Sequence, residues 1–336
     1  MVAETFDVVV VGAGPAGEHA AGRLADGGLA VALVERELVG GECSYWGCVP
    51  SKTLIRPGDV LAAAGRVPGA AEVTVVEGAD RLLVREEPFA GEEVRAAFEA
   101  EGIIVVTGAR MTRTSRRGSD GPVEASLEGG RQLEADEILV AVGRRPATDS
   151  LGLETVGLAP GRPIPVDDRL RATGVDGGWL YAIGDCNGLA PFTHMGKYHA
   201  RVAAAVILGQ DATDQASRRA LPRVTFTDPQ VCAVGLTEAQ AREQGLDVTV
   251  VTTPTGDVPG AYTLGNGIRG TSQLVIDNAR RVVVGATFTG PGLQELLHAA
   301  TVAVVSEAPV ERLWHAVPSF PTVSEVWLHL LEAYGL

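Results

Sequence analysis

The chain has 336 residues, length for about two domains. It is 46% hydrophobic and 21% charged with 42 glycines, the balance of a turn-rich globular protein. Its 28 Lys and Arg against 42 Asp and Glu leave a formal net charge of −14, which argues against nucleic acid as a partner, because phosphate contacts demand clustered cations. No apolar run approaches the ~20 residues of a membrane span. The start "MVAETFDVVVVGAG" has neither a basic region nor a small-residue cleavage site, so a cytoplasmic chain away from membranes is expected.

The first predicted element is an apolar strand, "FDVVVVG", running into Gly12, Gly14 and Gly17. Helical spacing follows to a glycine pair at Gly27 and Gly28, and a second strand, "LAVALVE", ends on Glu35. Strand, glycine loop, helix, strand and acid in this order fit a dinucleotide fingerprint. The first glycine allows the tight turn, the second lets backbone approach a pyrophosphate, and the third lets helix and strand pack closely. The helix N-terminus faces the phosphates, and Glu35 can accept from a ribose hydroxyl.

Next comes "GGECSYWGCVPSK", Gly40 to Lys52, with two of the four cysteines, Cys43 and Cys48. Zinc would need a second ligand cluster, whereas Cys186 and Cys232 stand alone and the six histidines are scattered. If the segment is helical, Cys43 and Cys48 lie a little over one turn apart, within reach of a disulfide after slight adjustment. A helix N-terminus and the Lys52 cation would both favour a thiolate. A redox pair and two packed thiols both remain open on these residues alone.

Further along, "AEVTVVEGADRLL" (Ala71–Leu83) reads as a strand ending on Glu77, and "EEPFAGEEVRAAFEAEG" as a helix. Strand–turn–strand patterns around "RRGSDGP" lead to a strand and glycine turn, "ILVAVGRRP" (Ile138–Pro146) with Gly143, and later to "LYAIGD" (Leu180–Asp185). The helix "THMGKYHARVAA" begins at Thr193. From about Ala220 the pattern is strand, a helix capped by Thr237 with Gln240 three on, and strands "DVTVVTTP", "SQLVID" and "RRVVVGATF", the last two joined by "DNAR". Helices "GLQELLHAATVAVVSE" and "TVSEVWLHLLEAY" close the chain, with Trp314, Trp327 and their leucines expected in core or interface.

"GAGPAG" followed by "GGECSYWGCVPSK", with "ILVAVGRRP", "LYAIGD", "THMGKYHARVAA" and "PRVTFTDPQVCAVGLTEAQA" (Pro222–Ala241) in order, resembles the flavin-dependent pyridine nucleotide–disulfide oxidoreductases. This is the group of dihydrolipoamide dehydrogenase, glutathione reductase and mercuric reductase. The resemblance implies an α/β fold: a Rossmann-like FAD domain, an NAD domain and a C-terminal α+β dimerisation domain forming a homodimer. It implies a redox disulfide, with Cys48 beside the flavin, Cys43 attacking a small disulfide substrate, and Lys52 near the flavin N5. Asp185 would hold the ribityl chain, the turn at Gly143 would lie at the flavin side, and the backbone of Thr193, His194 and Met195 would face the flavin O2. The side chain of His194 is expected to be merely packed. Glu77 would take the ribose of NAD(H). The implied boundaries are 1–70 and 148–215 for the two FAD segments, 71–147 for the NAD remnant and 216–336 for dimerisation.

Two departures stand out. Glu77 has no strand–glycine-loop–helix unit before it: "TLIRPGDVLAAAGRVPGA" offers none, and the step into "AEVTVV" reads as an internal deletion near Ala71. The deletion takes the end of the first FAD segment, the NAD glycine loop and, by the resemblance, the glutamate partner of Lys52. Near the C-terminus, "HAVPSFPTVSE" (His315–Glu325) has Phe320 where dihydrolipoamide dehydrogenase carries the histidine that protonates the departing thiolate. Glu325, which orients that histidine in the family, is present. His315 could replace the base only through a different bend of the loop, and Thr322 with Glu325 would otherwise form a capping box. No cysteine follows Cys232, which counts against Hg²⁺ as substrate. The expected function is electron transfer from NADH through FAD and the cysteine pair to a small disulfide, impaired in this shortened chain. The rivals are a quinone or small-acceptor flavoprotein without dithiol catalysis, and a non-catalytic truncated relative.

Overall fold

The computed structural model describes residues 5–53 and 72–336. The joint expected at Ala71 and the stretch leading to it lie outside the described residues. The chain divides into two compact units, Met1–Val67 with Gly143–Arg218, and Pro68–Val142 with Arg219–Leu336.

The first unit opens with β1 (Val8–Val11), α1 (Pro15–Asp26) and β2 (Val31–Val34). β1 and β2 pair in parallel, Val8 opposite Val31 and Val11 opposite Val34. Pro15 sits in the first turn of α1, where its missing N–H costs nothing. Gly27 caps the helix and Gly28 takes φ +89° just beyond. α1 packs on the two strands and along α4 (Thr193–Ile207), burying Ala20 and Leu24. Among the described residues no third strand joins β1 and β2, and Val9 and Val11 are left 58% and 65% exposed. That half-open face marks strands whose sequence suits burial on both sides. Beside α4, Leu153, Ile164, Leu170 and Ala182 form a small core with Val202 and Ala203. In the segment Leu180–Asp185 an isolated bridge joins Tyr181 to Arg171.

The second unit holds a parallel pair, β3 (Thr74–Val76) and β4 (Ile104–Val106), joined by α3 (Pro88–Ala100). An antiparallel meander follows, β5 (Met111–Arg116), β6 (Val123–Leu127) and β7 (Gln132–Ala135). Then comes a five-stranded antiparallel sheet of β8 (Arg223–Thr225), β9 (Gln230–Gly235), β10 (Val248–Pro254), β11 (Thr271–Asp277) and β12 (Val282–Gly290), ordered β10-β11-β12-β9-β8. The helix α5 (Glu238–Glu243) carries the predicted capping box, the Gln240 N–H donating to Thr237 Oγ1 at 3.2 Å and the Thr237 N–H to Gln240 Oε1 at 3.0 Å. Phe288 on β12 meets Trp327 at 6.2 Å between ring centres, in a core with Leu274, Ile276 and Leu330. Trp327 is thus core, whereas Trp314 is 47% exposed.

Three carboxylates fasten the α3 region to this sheet. Arg223 donates to both oxygens of Glu86, Nε to Oε1 at 2.7 Å and Nη2 to Oε2 at 2.8 Å. The Glu238 N–H donates to Glu87 Oε1 at 2.7 Å, and Glu93 accepts from the hydroxyls of Thr271 and Thr289. Under them Leu82, Ala90 and Val94 pack with Val231.

Two expectations fail. Ile138–Val142 forms no strand, and Leu139 and Val142 are 92% and 91% exposed. A parallel strand needs a neighbour's backbone groups, and among the described residues no strand pairs with this segment. The capping box expected at Thr322 is also absent: its hydroxyl donates to the Ser319 carbonyl at 2.6 Å, and a 3₁₀ turn leads into the last helix, Val326–Ala333. Among the described residues no helix is long and apolar enough to cross a membrane.

Candidate redox site

The glycine loop takes the conformation its residues predict. Gly12 sits at φ +96°, and a Cβ on Gly17 would lie 1.8 Å from the Gly12 carbonyl oxygen. The cradle is tight elsewhere: a Cβ on Gly41 would come within 2.8 Å of the Gly14 Cα. The Glu35 carboxylate turns toward this loop, accepting the Ala13 N–H at 2.8 Å and the N–H groups of Arg36 and Glu37 at 2.8 and 2.9 Å. The Ala13 N–H, then that of Glu37, holds its carboxyl below the ordinary range although burial pushes the other way.

The N-termini of α1 and α4 meet at this loop. Ala16 of α1 lies close to Gly184 and Gly196, whose added Cβ atoms would stand 3.2 and 3.1 Å from its methyl group. Neither helix start carries a side-chain cap, so their first N–H groups keep donor capacity for an anionic or electron-rich group. Closely approached backbone, uncapped helix starts and an acid at the strand end fit a flavin dinucleotide.

The cysteine segment is not one continuous helix. α2 (Gly41–Tyr45) stops at Trp46, and residues 48–53 are helical again. The Trp46 and Gly47 N–H groups both donate to the Glu42 carbonyl, at 2.8 and 2.7 Å, which closes the first helix. The break places Cys48 at the start of the second. Both sulfurs reach one hydroxyl: Thr193 Oγ1 donates to Cys43 Sγ at 3.1 Å and lies 3.2 Å from Cys48 Sγ. Burial raises the Cys48 pKa, but the hydrogen bonds of Cys43 and Thr193 and the Lys52 charge outweigh it, and the net direction is down. Burial, reinforced by the Cys48 hydrogen bond, pushes Cys43 up. The two shifts run in opposite directions, so of the pair Cys48 gives up its proton more readily and Cys43 holds its own.

Thr193, expected as a backbone donor, thus joins the pair through its side chain. Nothing in the motif marks that hydroxyl in advance. Met195 is buried at 3% exposure, and the exposed His194 stacks its ring on Phe192 at 5.4 Å. Asp185 is half exposed and pairs with Arg144, which reaches Asp185 Oδ2 at 3.1 Å and the Pro191 carbonyl at 2.6 Å. Arg144 follows Gly143, itself at φ +118°. Sequence reasoning passed over this arginine, although it lies inside "ILVAVGRRP".

In the other unit, Glu77 accepts the Ala79 N–H at 2.8 Å, at the end of β3. Phe320 is 75% exposed. Glu325 keeps one buried oxygen, Oε2, without a hydrogen-bond partner. His315 stands edge-on to Trp314 at 4.9 Å in an open hollow of about 300 Å³ with Glu311 and Leu336.

The family profile described as pyridine nucleotide-disulphide oxidoreductase matches residues 6–67 and 58–206, and the dimerisation domain of the same family matches 221–331. The first profile takes the chain in two pieces, as expected of a sequence lacking an internal stretch. Dihydrolipoyl dehydrogenase of Mycobacterium tuberculosis is 34% identical over 257 residues, which cover 76% of this chain and 54% of that protein. Mercuric reductase of Bacillus cereus is 31% identical over 76% of this chain and 40% of its own length. The chain spans about half the length of the curated relatives it matches. Among solved structures, the HOCl-induced flavoprotein disulfide reductase RclA from Escherichia coli aligns over 97% of this chain and 99% of its own, with a TM-score of 0.83 at 23% identity, a likeness of fold.

Proposed function

Because the chain belongs to the pyridine nucleotide-disulphide oxidoreductase family, we propose that it passes electron pairs through Cys43 and Cys48 to a small disulfide, with its use of NADH impaired. The observation that carries this reading is the convergence of both sulfurs on the Thr193 hydroxyl at the start of α4.

Gly12, Gly14, Gly17 and Glu35 would hold the adenosine and pyrophosphate of FAD, Asp185 and the turn at Gly143 its ribityl side, and the first N–H groups of α4 the flavin ring. Bound there, FAD supplies two-electron chemistry that returns an oxidised cysteine pair to the dithiol. The chain's own part is thiol exchange. Cys43, once deprotonated, attacks a substrate disulfide, forms a mixed disulfide and expels one substrate thiolate. Cys48 then attacks the Cys43 sulfur, expels the second thiolate and closes the Cys43–Cys48 bond. Lys52 supports the Cys48 thiolate electrostatically. The expelled thiolates need a proton donor, and Phe320 cannot provide one; such help is typically worth about 10²–10⁴-fold. Glu77 would take a nucleotide ribose, but no strand–glycine-loop–helix unit precedes it in the sequence to bind the pyrophosphate. The matched dimerisation domain supports a homodimer.

A visible spectrum of purified, FAD-loaded protein tests the reading. Dithionite bleaches the flavin band while equimolar NADH leaves it, and two-electron reduction gives a long-wavelength thiolate-to-flavin band that Cys48→Ser abolishes. A protein that takes up no flavin overturns the proposal. Phe320 at the base position favours a second reading, a reductase of quinones or other small acceptors. Quinone turnover undiminished by Cys43→Ser and Cys48→Ser would support that one instead.

A further inference from the structure

His199 is wholly buried on α4, although no motif required a histidine there. Its Nδ1 lies 3.1 Å from the Gly184 backbone nitrogen and 3.3 Å from Asn187 Nδ2. Its Nε2 lies 2.7 Å from Ser217 Oγ. Asn187 and Ser217 are themselves 4% and 5% exposed. A backbone N–H can only donate, so Nδ1 must accept, and the neutral ring must carry its proton on Nε2 and give it to Ser217. Two donors converge on one lone pair. Protonation at Nδ1 would set an N–H against both of them in a site without water's compensation.

The turn that Nδ1 holds is the one bearing Asp185. Asn187 ties the same turn to the strand-like segment before it through the Ala182 carbonyl at 3.1 Å, and accepts the Leu189 N–H at 3.0 Å. Gly184 is at φ +72°, a conformation glycine adopts without strain, and the turn is held from outside by hydrogen bonds. Imidazole and Asn187 provide them.

We propose that His199 is the positioning residue of the Gly184–Asp185 turn, its neutral Nδ1 fixing the Gly184 N–H so that Asp185 is held for the flavin, and that acid releases the turn and the flavin together. The proposal rests on the reading of unit 1 as a FAD site. The charged groups facing the ring are Asp214, whose Oδ1 accepts the Ser217 N–H at 3.0 Å, and Asp185 across the turn, with Tyr198 beside it on α4. Burial lowers the imidazole pKa, and both aspartates oppose that without overcoming it. The native, flavin-competent arrangement therefore excludes a proton that a loosened turn accepts, and the coupling has the sign required: acid favours release.

The test is flavin affinity by fluorescence quenching between about pH 7.5 and pH 5.5, with one proton of linkage giving up to about tenfold loss per pH unit. Wild type should lose affinity across this range. His199→Asn, which keeps an acceptor near the Nδ1 position and does not titrate, should bind at pH 7.5 within about threefold of wild type and show a flatter profile. His199→Leu should bind at least about tenfold more weakly at both ends, the cost of orphaning a buried N–H. Long-range proton–nitrogen NMR of flavin-loaded wild type should show one imidazole protonated on Nε2 alone, a readout that needs no variant to fold. An Nδ1–H or doubly protonated ring, or identical pH profiles for wild type and His199→Asn, overturns the proposal. Wild type that binds no flavin at any pH overturns the cofactor reading and this inference with it. Tight binding in wild type that His199→Leu leaves unchanged overturns this inference alone.

Discussion

Replacing Arg223 with methionine removes the cation that joins α3's leading loop to the antiparallel sheet. The side chains of Arg223 and Glu86 are 18% and 10% exposed, so water reaches neither freely. Arg223 gives Glu86 a bidentate fork and also donates to the Leu221 and Gly235 carbonyls at 3.1 and 3.3 Å. Removing one partner of a buried pair costs about 3–5 kcal/mol, because the other charge stays buried without compensation. The residual exposure of Arg223 places this pair at the lower end, about 3 kcal/mol. In a unit of about 190 residues this is about 6–12 °C in Tm. Differential scanning calorimetry of the flavin-loaded protein measures it. Glu86→Leu with Arg223→Met should recover most of the loss, since an apolar pair no longer carries a buried charge. A single variant within about 1 kcal/mol of wild type, or a double variant as unstable as the single, would refute a buried-charge account.

Gly17→Ala drives a methyl group into the Gly12 carbonyl, so flavin affinity should fall at least about 100-fold by fluorescence titration; an unchanged Kd would sink the cradle assignment. In the dithiol form at about pH 7.5, iodoacetamide should label Cys48 ahead of Cys43 by peptide mass mapping, because thiolate character favours Cys48. Its labelling rate should rise with a midpoint below the ordinary thiol value, and equal rates would remove the case for an activated sulfur. Phe320→His restores an imidazole at the family's base position, where Glu325 keeps a buried oxygen without a partner. Disulfide reduction with a chemical donor to the flavin should rise at least about tenfold, an increase that adding Glu325→Gln should diminish. Burial holds His199 below its ordinary value of about 6.5. Its contribution to stability is therefore complete above about pH 6.5 and lost as pH falls toward its lower folded value, a slope in Tm that His199→Asn should remove.

What the sequence displayed was mostly local. The alternation of strand, glycine loop and helix from Phe6 to Glu35 depends on near neighbours, and it forms as read. The same holds for the Thr237–Gln240 box and the β11–β12 hairpin across "DNAR". Ile138–Val142 has a strand's composition but no ladder, because strand propensity is realised only against a partner. The Trp46–Gly47 break was invisible for another reason. Two N–H groups compete for one Glu42 carbonyl there, a choice set by backbone geometry rather than residue type. The Thr193 hydroxyl and the His199 ring contact residues up to 150 positions away or wholly within the core, so no spacing rule announces them. Thr322 and Glu325 matched a capping box in letters, yet Thr322 finds the Ser319 carbonyl first.

A pair of parallel strands such as β3 and β4 has too little apolar surface to persist alone. Here the pair is covered by α3, which also faces β12, while Leu82, Ala90 and Val94 pack with Val231. Glu86, Glu87 and Glu93 all bond to the C-terminal part of the same unit. The layer of β3, β4 and α3 is thus carried on the larger antiparallel sheet, which supplies burial that two strands alone would lack. Loss of the glycine loop and integrity of this unit are therefore separable properties. A chain whose second unit melts cooperatively, and whose flavin dithionite reduces but NADH does not, has lost nucleotide binding and not its fold.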